Sequence, residues 1–89
     1  MKVKCLGRDF EVRECTYKQR RELHSANAEA YWNGKMDVAK YYKLLERVSD
    51  IAGLDEKELN EMEMLQVDKL LQKIFMEYLG LSDKKKSAP

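Results

Sequence analysis

Residues 2–19 read KVKCLGRDFEVRECTYKQ, and this stretch decides the fold class. In its first half, apolar and charged residues alternate with a period of two, which is typical of a strand pair with one buried face. The dipeptide Gly7-Arg8 suits a two-residue type II′ turn, so we expect a β-hairpin over residues 2–14. The register that follows pairs Cys5 with Phe10, Val3 with Val12 and Lys4 with Glu11. A lone hairpin is marginally stable in water, so it must pack against helices.

The second half of the stretch begins a helix. Thr16 and Gln19 have the spacing of a capping box, with the Thr hydroxyl at the N-cap. We expect this helix to cover about residues 17–33 and to end at Gly34, which can adopt a left-handed conformation. The residues expected on its inner side are Arg20, Leu23, Ala26 or Asn27, Ala30 and Tyr31.

Two more long helices follow, each ended by a glycine and a leucine. Asp37 caps the first, over residues 38–52, and the second covers about residues 63–79, after a short helical turn that ends near Asn60. The apolar stripe of the first is Val38, Tyr41, Tyr42, Leu45, Val48 and Ala52. That of the second is Val67, Leu70, Leu71, Ile74, Phe75 and Tyr78. The pattern predicts an α+β, predominantly helical ββααα fold in a single small domain, residues 1–81, with a flexible basic tail at 82–89.

Composition excludes several function classes. The chain has 89 residues, with 17 Lys and Arg against 16 Asp and Glu, a formal charge of +1. This size allows one compact core, and this charge does not draw the whole chain to nucleic acid or anionic lipid. No apolar run reaches the roughly 18 residues that span a bilayer, and charges interrupt the N-terminal stretch. We therefore expect a cytoplasmic protein without a membrane partner, in the host cytoplasm if a phage encodes it.

The reactive side chains do not form a recognisable catalytic or metal site. Cys5 and Cys15 fall on opposite faces of the expected hairpin, which prevents a normal disulfide between them. We therefore expect reduced, structural thiols. A zinc site would need these two residues with His24 and Glu22, and the tight Cys spacing of zinc sites is missing. The glycines are isolated at turns, so no phosphate-binding loop is present. We expect no enzyme activity, no metal and no cofactor.

Methionine and aromatic residues offer two candidate surfaces for a protein partner. Met62 and Met64 point about 200° apart on a regular helix, so one of them should be exposed or lie in the connector, next to Leu65. Flexible thioethers suit surfaces that accept several apolar partners, although methionines more commonly fill gaps in a core. Trp32 and Tyr42 form the second candidate patch. Each follows a tyrosine, and because adjacent residues on a helix point about 100° apart, at least one member of each pair should face outward.

Nucleic-acid binding is an alternative. Lys18, Arg20 and Arg21 lie together on the first helix and could contact phosphates. The simpler interpretation is a solvated helix face, compensated locally by Glu14 and Glu22. Residues 55–68 are acidic and would repel a phosphate backbone.

The order of caps and apolar positions resembles that of small phage tail assembly chaperones, from Phe10 to about Leu81. The opening of the match is Phe10-x-Val12-Arg13-x-Cys15-Thr16-x-x-Gln19, followed by Arg21-Glu22-Leu23. Its later part comprises Tyr42, Leu44-Leu45, Val48-Ser49, Gly53-Leu54, the acidic residues from Glu56 to Glu58, Val67-Asp68-x-Leu70 and Tyr78-Leu79-Gly80-Leu81.

This resemblance implies a non-enzymatic chaperone or adaptor. Proteins of this family bind the long, largely helical tape-measure protein of a tailed phage, keep it soluble and help to recruit tail-tube subunits. The expected contact residues are Met62, Met64 and Leu65, with Trp32 and Tyr42 as the second patch. The alternatives are a small nucleic-acid-binding or regulatory protein and a minor structural subunit of a phage tail or baseplate. Self-association is possible in each case.

Overall fold

A hairpin and four helices follow one another in the part of the chain that the computed structural model describes, residues 1–31 and 34–80. The elements are β1 (Lys2–Cys5), β2 (Arg8–Glu11), α1 (Tyr17–Ala30), α2 (Val38–Ala52), α3 (Glu56–Asn60) and α4 (Met64–Leu79). This order confirms the predicted α+β fold, with α3 as the expected short helical turn. Helix α4 begins one residue later than predicted, because Glu63 is its N-cap. The tail at 82–89 lies outside the described residues.

The hairpin turn differs from the prediction by one position. Its central residues are Leu6 and Gly7, with φ angles of 57° and 73°, which is the pattern of a type I′ turn. The strands pair Lys2 with Glu11, Val3 with Phe10, Lys4 with Asp9 and Cys5 with Arg8. The predicted pairs, Cys5–Phe10, Val3–Val12 and Lys4–Glu11, are therefore wrong by two residues. An even shift keeps every side chain on its face, so Val3, Phe10 and Val12 are buried as expected.

Leu6 is an unusual residue for this turn. Left-handed backbone brings the Cβ of an L-residue close to a carbonyl oxygen and costs about 1 kcal/mol, which is why Asn and Gly are preferred there. The Leu6 side chain is 41% exposed and lies outside the cluster of packed apolar residues. Packing in the core therefore does not offset the strain.

Helix α1 begins at the predicted capping box. Thr16 Oγ1 accepts a hydrogen bond from the Gln19 backbone N–H at 3.1 Å, and Gln19 Oε1 accepts from the Thr16 N–H at 2.8 Å. The helix ends at Ala30 rather than near residue 33, and the Asp37 N–H donates to the Ala30 carbonyl at 2.6 Å. Gly34, at φ 74°, consequently shapes the loop before α2 instead of capping α1.

The inner face of α1 is narrower than predicted. Leu23 and Ala30 are buried, and Ala26 and Asn27 are half-buried, but Arg20 and Tyr31 are exposed. The prediction was wrong for these last two because α1 packs chiefly on α2 and ends before Tyr31.

Helix α2 has its predicted ends and a rotated buried face. Asp37 Oδ1 accepts from the Lys40 N–H at 3.2 Å at one end, and Gly53 has a φ angle of 70° at the other. The buried residues are Leu44, Leu45, Val48, Ile51 and Ala52, while Val38 and Tyr42 are exposed. At 100° per residue this face is turned by roughly 50° from the predicted stripe. Helix α2 contacts both α1 and α4, so its buried residues are those that face these two helices.

The core lies between α2, α4 and the hairpin, with β1 packed against α4. Its α4 residues are those predicted, Leu70, Leu71, Ile74, Phe75 and Tyr78, with Val67 half-buried. The segment around Arg13 joins α2 and α4, since the Arg13 N–H donates to the Ala52 carbonyl at 3.0 Å and the Arg13 carbonyl accepts from the Tyr78 hydroxyl at 2.5 Å. Within residues 1–31 and 34–80, no helix has the length and apolarity needed to cross a membrane.

Candidate partner-binding surface

The first turn of α4 carries two apolar side chains that face the solvent. Met64 is 73% exposed and Leu65 is 75% exposed, and we call this pair the apolar corner. The start of the helix is hydrogen-bonded, because Gln66 Oε1 accepts from the Glu63 N–H at 3.1 Å. Both side chains therefore project from a well-defined helix terminus, where a partner could cover them.

Met62 differs from Met64 in the way the helical geometry predicts. Met62 lies in the connector before α4, where its N–H donates to the Leu59 carbonyl at 3.1 Å, and its side chain is half-buried against the core. Met64, two residues later, is the exposed member of the pair. Met62 thus packs on the core, whereas Met64 lies in the exposed apolar corner with Leu65.

The chain around the apolar corner is strongly acidic. Residues 55–63, which we call the acidic connector, contain Asp55, Glu56, Glu58, Glu61 and Glu63 against Lys57 alone. Asp55 caps α3 through its Oδ1 atom, which accepts from the Lys57 N–H at 3.0 Å. The remaining carboxylates give this end of the molecule a negative potential, which favours positively charged groups.

The second predicted patch lies elsewhere on the molecule. Tyr42 is 48% exposed, and its ring centre is 6.1 Å from that of Tyr41, which meets Tyr31 edge to face at 6.2 Å. Tyr41 also contacts Gln72 of α4. Because Gln72 lies eight residues, or about 12 Å, along α4 from Met64, the second patch is separate from the apolar corner. Burial raises the pKa of the Tyr41 hydroxyl. Trp32, the other member of this patch, lies outside the described residues.

A groove between α1 and α4 is a feature that sequence reasoning missed. Its volume is about 570 Å³, and it is lined by Asn27, Tyr31, Tyr41, Lys69, Gln72, Lys73, Phe75, Met76 and Leu79. The clustering of tyrosines near the α1–α2 loop was visible in the sequence. The neighbouring position of α4 was not, because it depends on how the helices cross.

The basic residues of the alternative site are exposed. Lys18, Arg20 and Arg21 all face the solvent on α1, beside Tyr17, which is 71% exposed and has its ring centre 6.0 Å from the Arg21 guanidinium.

Glu22, one of the two residues expected to compensate these cations, is bound elsewhere. It accepts two hydrogen bonds from Arg47 of α2, at 2.6 and 3.1 Å. The hydrogen bonds from Arg47 lower the pKa of the Glu22 carboxyl. The expectation that Glu22 compensates the basic face locally is therefore wrong.

Neither the thiols nor the histidine belongs to a metal-type cluster in the described part of the chain. Cys5 and Cys15 are free and half-buried against the core, and His24 is exposed. Within residues 1–31 and 34–80, no group of three or more His, Cys, Asp and Glu side chains could hold a metal ion. Compared with protein-family models, curated proteins and solved structures, the chain matches none of them.

Proposed function

We propose that this protein is a non-enzymatic assembly chaperone or adaptor of a tailed phage, which covers apolar helical segments of a tape-measure or other tail protein. The observation that carries the proposal is the apolar corner, where Met64 and Leu65 are nearly three-quarters exposed on an ordered helix terminus. The phage context comes from the resemblance to small tail assembly chaperones, which covers residues 10 to 81.

The chemistry of the corner suits a helix as partner. A helix with an apolar stripe can pack against the two side chains, and the flexible thioether of Met64 adapts to different residues in that stripe. Covering two such side chains contributes about 4 kcal/mol, which corresponds to a millimolar complex before the entropic cost of association is counted. A stable complex therefore requires contacts beyond the corner.

The proposal is tested by co-expressing the tagged chain with a tape-measure segment from the same genome. We expect the segment to stay soluble and to co-purify. The double variant Met64→Asp, Leu65→Asp should lose the segment, because two charges replace the apolar contact. Met36→Asp is the matched control, since Met36 is also an exposed methionine but lies in the loop before α2.

Circular dichroism must show the same helical content for all variants. Capture of the segment by the double variant at the wild-type level would contradict the proposal. A wild-type chain that neither binds nor solubilises the segment would contradict it as well.

Nucleic-acid binding is a second candidate function, favoured by the exposure of Lys18, Arg20 and Arg21 next to Tyr17. A mobility shift with DNA that weakens with salt and disappears in Arg20→Glu, Arg21→Glu would support it and contradict the chaperone proposal.

The third possibility, a minor structural subunit of a tail or baseplate, differs from a chaperone in whether the protein stays in the assembled particle. A chaperone is missing from mature particles, whereas a structural subunit is found in them by mass spectrometry.

A further inference from the structure

The groove between α1 and α4 has a buried floor and an open rim. Among its lining residues, Phe75 is 8% exposed, whereas Tyr31 and Met76 are 45% and 43% exposed. A site for a small molecule encloses most of its ligand. An open groove of about 570 Å³ between two helices suits a segment of another protein instead, and an amphipathic helix is a segment that such grooves bind.

The wall that α4 contributes lies on one face of the helix. Five of its residues stand at positions i, i+3, i+4, i+7 and i+10, namely Lys69, Gln72, Lys73, Met76 and Leu79. From Lys69 to Leu79 this face extends about 15 Å, or nearly three helical turns. It is basic and polar in its first half and apolar in its second half.

Tyrosines from α2 and from the end of α1 form the other wall. Tyr31, the C-cap of α1, meets Tyr41 of α2 edge to face, with ring centres 6.2 Å apart. Tyr41 in turn contacts Gln72 of α4. These contacts hold three helices together around the groove, so its walls are in place before a partner binds.

Both charged residues that line the groove are lysines. Lys69 and Lys73 are exposed and four residues apart on one helix, a spacing at which like charges repel each other. Within residues 1–31 and 34–80, no carboxylate forms an ion pair with either of them. The two acidic residues of α4, Asp68 and Glu77, do not line the groove. A carboxylate supplied from outside would therefore pair with these cations and relieve their repulsion.

The same chemistry disfavours two other occupants. Residues 81–89 follow directly after the groove in sequence, but they contain three lysines and one aspartate, which the groove lysines repel on balance. A nucleic acid would pair with the lysines, but Met76 and Leu79 offer its bases neither hydrogen bonds nor a flat ring for stacking.

We infer that the groove between α1 and α4 is a second docking surface, and that its occupant is an acidic amphipathic helix of a partner protein. The apolar stripe of that helix lies on Met76, Leu79 and the two tyrosines, and Asp or Glu side chains beside the stripe pair with Lys69 and Lys73. The inference goes beyond the proposed function, which uses the apolar corner. Met64 of that corner lies twelve residues, or about 18 Å, along α4 from Met76.

The charge preference is tested with the full chain and a labelled synthetic peptide that carries a leucine stripe at helical spacing, with Glu beside the stripe. We expect Lys69→Glu, Lys73→Glu to weaken binding of this Glu peptide at least about tenfold at low salt, and the loss to shrink toward about 0.5 M salt. The control Lys18→Glu, Lys57→Glu makes the same change in net charge at exposed residues outside the groove lining, and should bind within about twofold of wild type. Equal affinities of the two double variants would overturn the inference.

A peptide of opposite charge distinguishes loss of the site from loss of the fold. With Lys in place of Glu beside the same stripe, it should bind Lys69→Glu, Lys73→Glu at least about fivefold more tightly than it binds wild type, because the charges of the groove are reversed. A misfolded variant binds neither peptide. A folded reversal variant, with wild-type circular dichroism, that gains no affinity for the Lys peptide would overturn the inference.

The apolar contact is tested at two exposed methionines of the same helix. Met76→Asp should weaken the Glu peptide at least about tenfold, since it removes apolar surface and adds a repelling charge. Met64→Asp, outside the groove lining, is the matched control and should leave the affinity within about twofold of wild type. Equal effects of the two substitutions would contradict a site in the groove.

The other occupants have their own outcomes. If truncation after Gly80, or Trp32→Ala next to Tyr31, raises the affinity for the Glu peptide at least about tenfold, a segment of this chain covers the groove and the inference is overturned. Displacement of the Glu peptide by a DNA oligonucleotide, or a dimer that Met76→Asp abolishes in light scattering, would overturn it as well. The proposed function is tested at the apolar corner with the tape-measure segment, so either proposal can fail while the other stands.

Discussion

The two ends of α4 differ in burial, in the charge of the neighbouring chain and in hydrogen bonding. At its N-terminal end, Met64 and Leu65 are largely exposed and the neighbouring chain is acidic. At its C-terminal end, Ile74 and Tyr78 are buried, and the Tyr78 hydroxyl donates to the Arg13 carbonyl. One helix thus belongs to the core at one end and presents apolar surface to the solvent at the other.

This difference separates what the fold requires from what it leaves available. The buried end is constrained by packing on α2 and by the segment around Arg13, so few substitutions are tolerated there. The exposed end contributes little to stability, and its apolar residues bring the general risk of aggregation. The partner contact that we propose would account for their presence, which the stability of the fold does not require.

The largest effect is expected when one leucine at each end of α4 is truncated to alanine. Leu70 is fully buried, so Leu70→Ala should lower the free energy of unfolding by about 3 kcal/mol through lost burial and a cavity. Leu65→Ala, at an exposed position, should change it by less than about 0.5 kcal/mol. Urea unfolding followed by circular dichroism measures both. Similar losses would show that the corner is part of the stabilising core and would abolish the contrast.

A second test uses glycines in the same left-handed conformation. At Gly53 an added Cβ would lie 2.7 Å from Arg13 Nε, whereas at Gly7 the space is open. Both alanine variants carry backbone strain of about 1 kcal/mol, and Gly53→Ala must in addition displace the Arg13 side chain from the end of α2. We expect the two variants to lose similar amounts, about 1 kcal/mol each in urea unfolding, because the Arg13 atoms that Gly53→Ala displaces lie at the far end of a flexible, exposed side chain. A clearly larger loss in Gly53→Ala would mean that the Arg13 side chain is held in place at this junction.

The parts of the fold that were predictable from the sequence are those fixed by local chemistry. The capping residues Thr16, Asp37 and Asp55 mark three helix starts, because each offers an oxygen to an unpaired N–H at a short, fixed spacing. The hairpin register was not predictable, since Gly7 is compatible with two turn types that differ by one position. The buried face of α2 depends on two neighbouring helices. The spacing of its apolar residues alone could not show which side of the helix is buried.

The candidate surface was predictable only in part. Helical geometry shows that Met62 and Met64 diverge, but which of them faces the core depends on where α4 begins, and Glu63 decides that. The contact between Arg8 and Glu58 was invisible in the sequence, because it joins the hairpin to α3 through tertiary packing. Side chains that adjoin through tertiary packing leave no spacing signal.

The smallest effect concerns the hydrogen bond at the buried end of α4, between the Tyr78 hydroxyl and the Arg13 carbonyl. Burial, the largest cause, raises the pKa of Tyr78 from 10.0 to about 12. The folded state therefore holds this proton more tightly than the unfolded state, and its contribution to stability is full below pH 10 and decreases as the pH rises from 10 toward 12. Tyr78→Phe should lower the free energy of unfolding by about 1 kcal/mol at neutral pH and should flatten its decline at alkaline pH.

Urea unfolding between about pH 8 and pH 11 measures both effects, with the exposed Tyr17→Phe as the control for neutral pH. Tyr41 contributes to the decline that remains in Tyr78→Phe, because burial raises its pKa as well. A variant that loses stability at alkaline pH as steeply as the wild type would show that ionisation of Tyr78 does not cause the decline, and that the hydrogen bond to Arg13 does not stabilise the protonated hydroxyl. The buried end of α4 would then be held by apolar packing alone, and the contrast with the apolar corner would be one of burial without any contribution from hydrogen bonding.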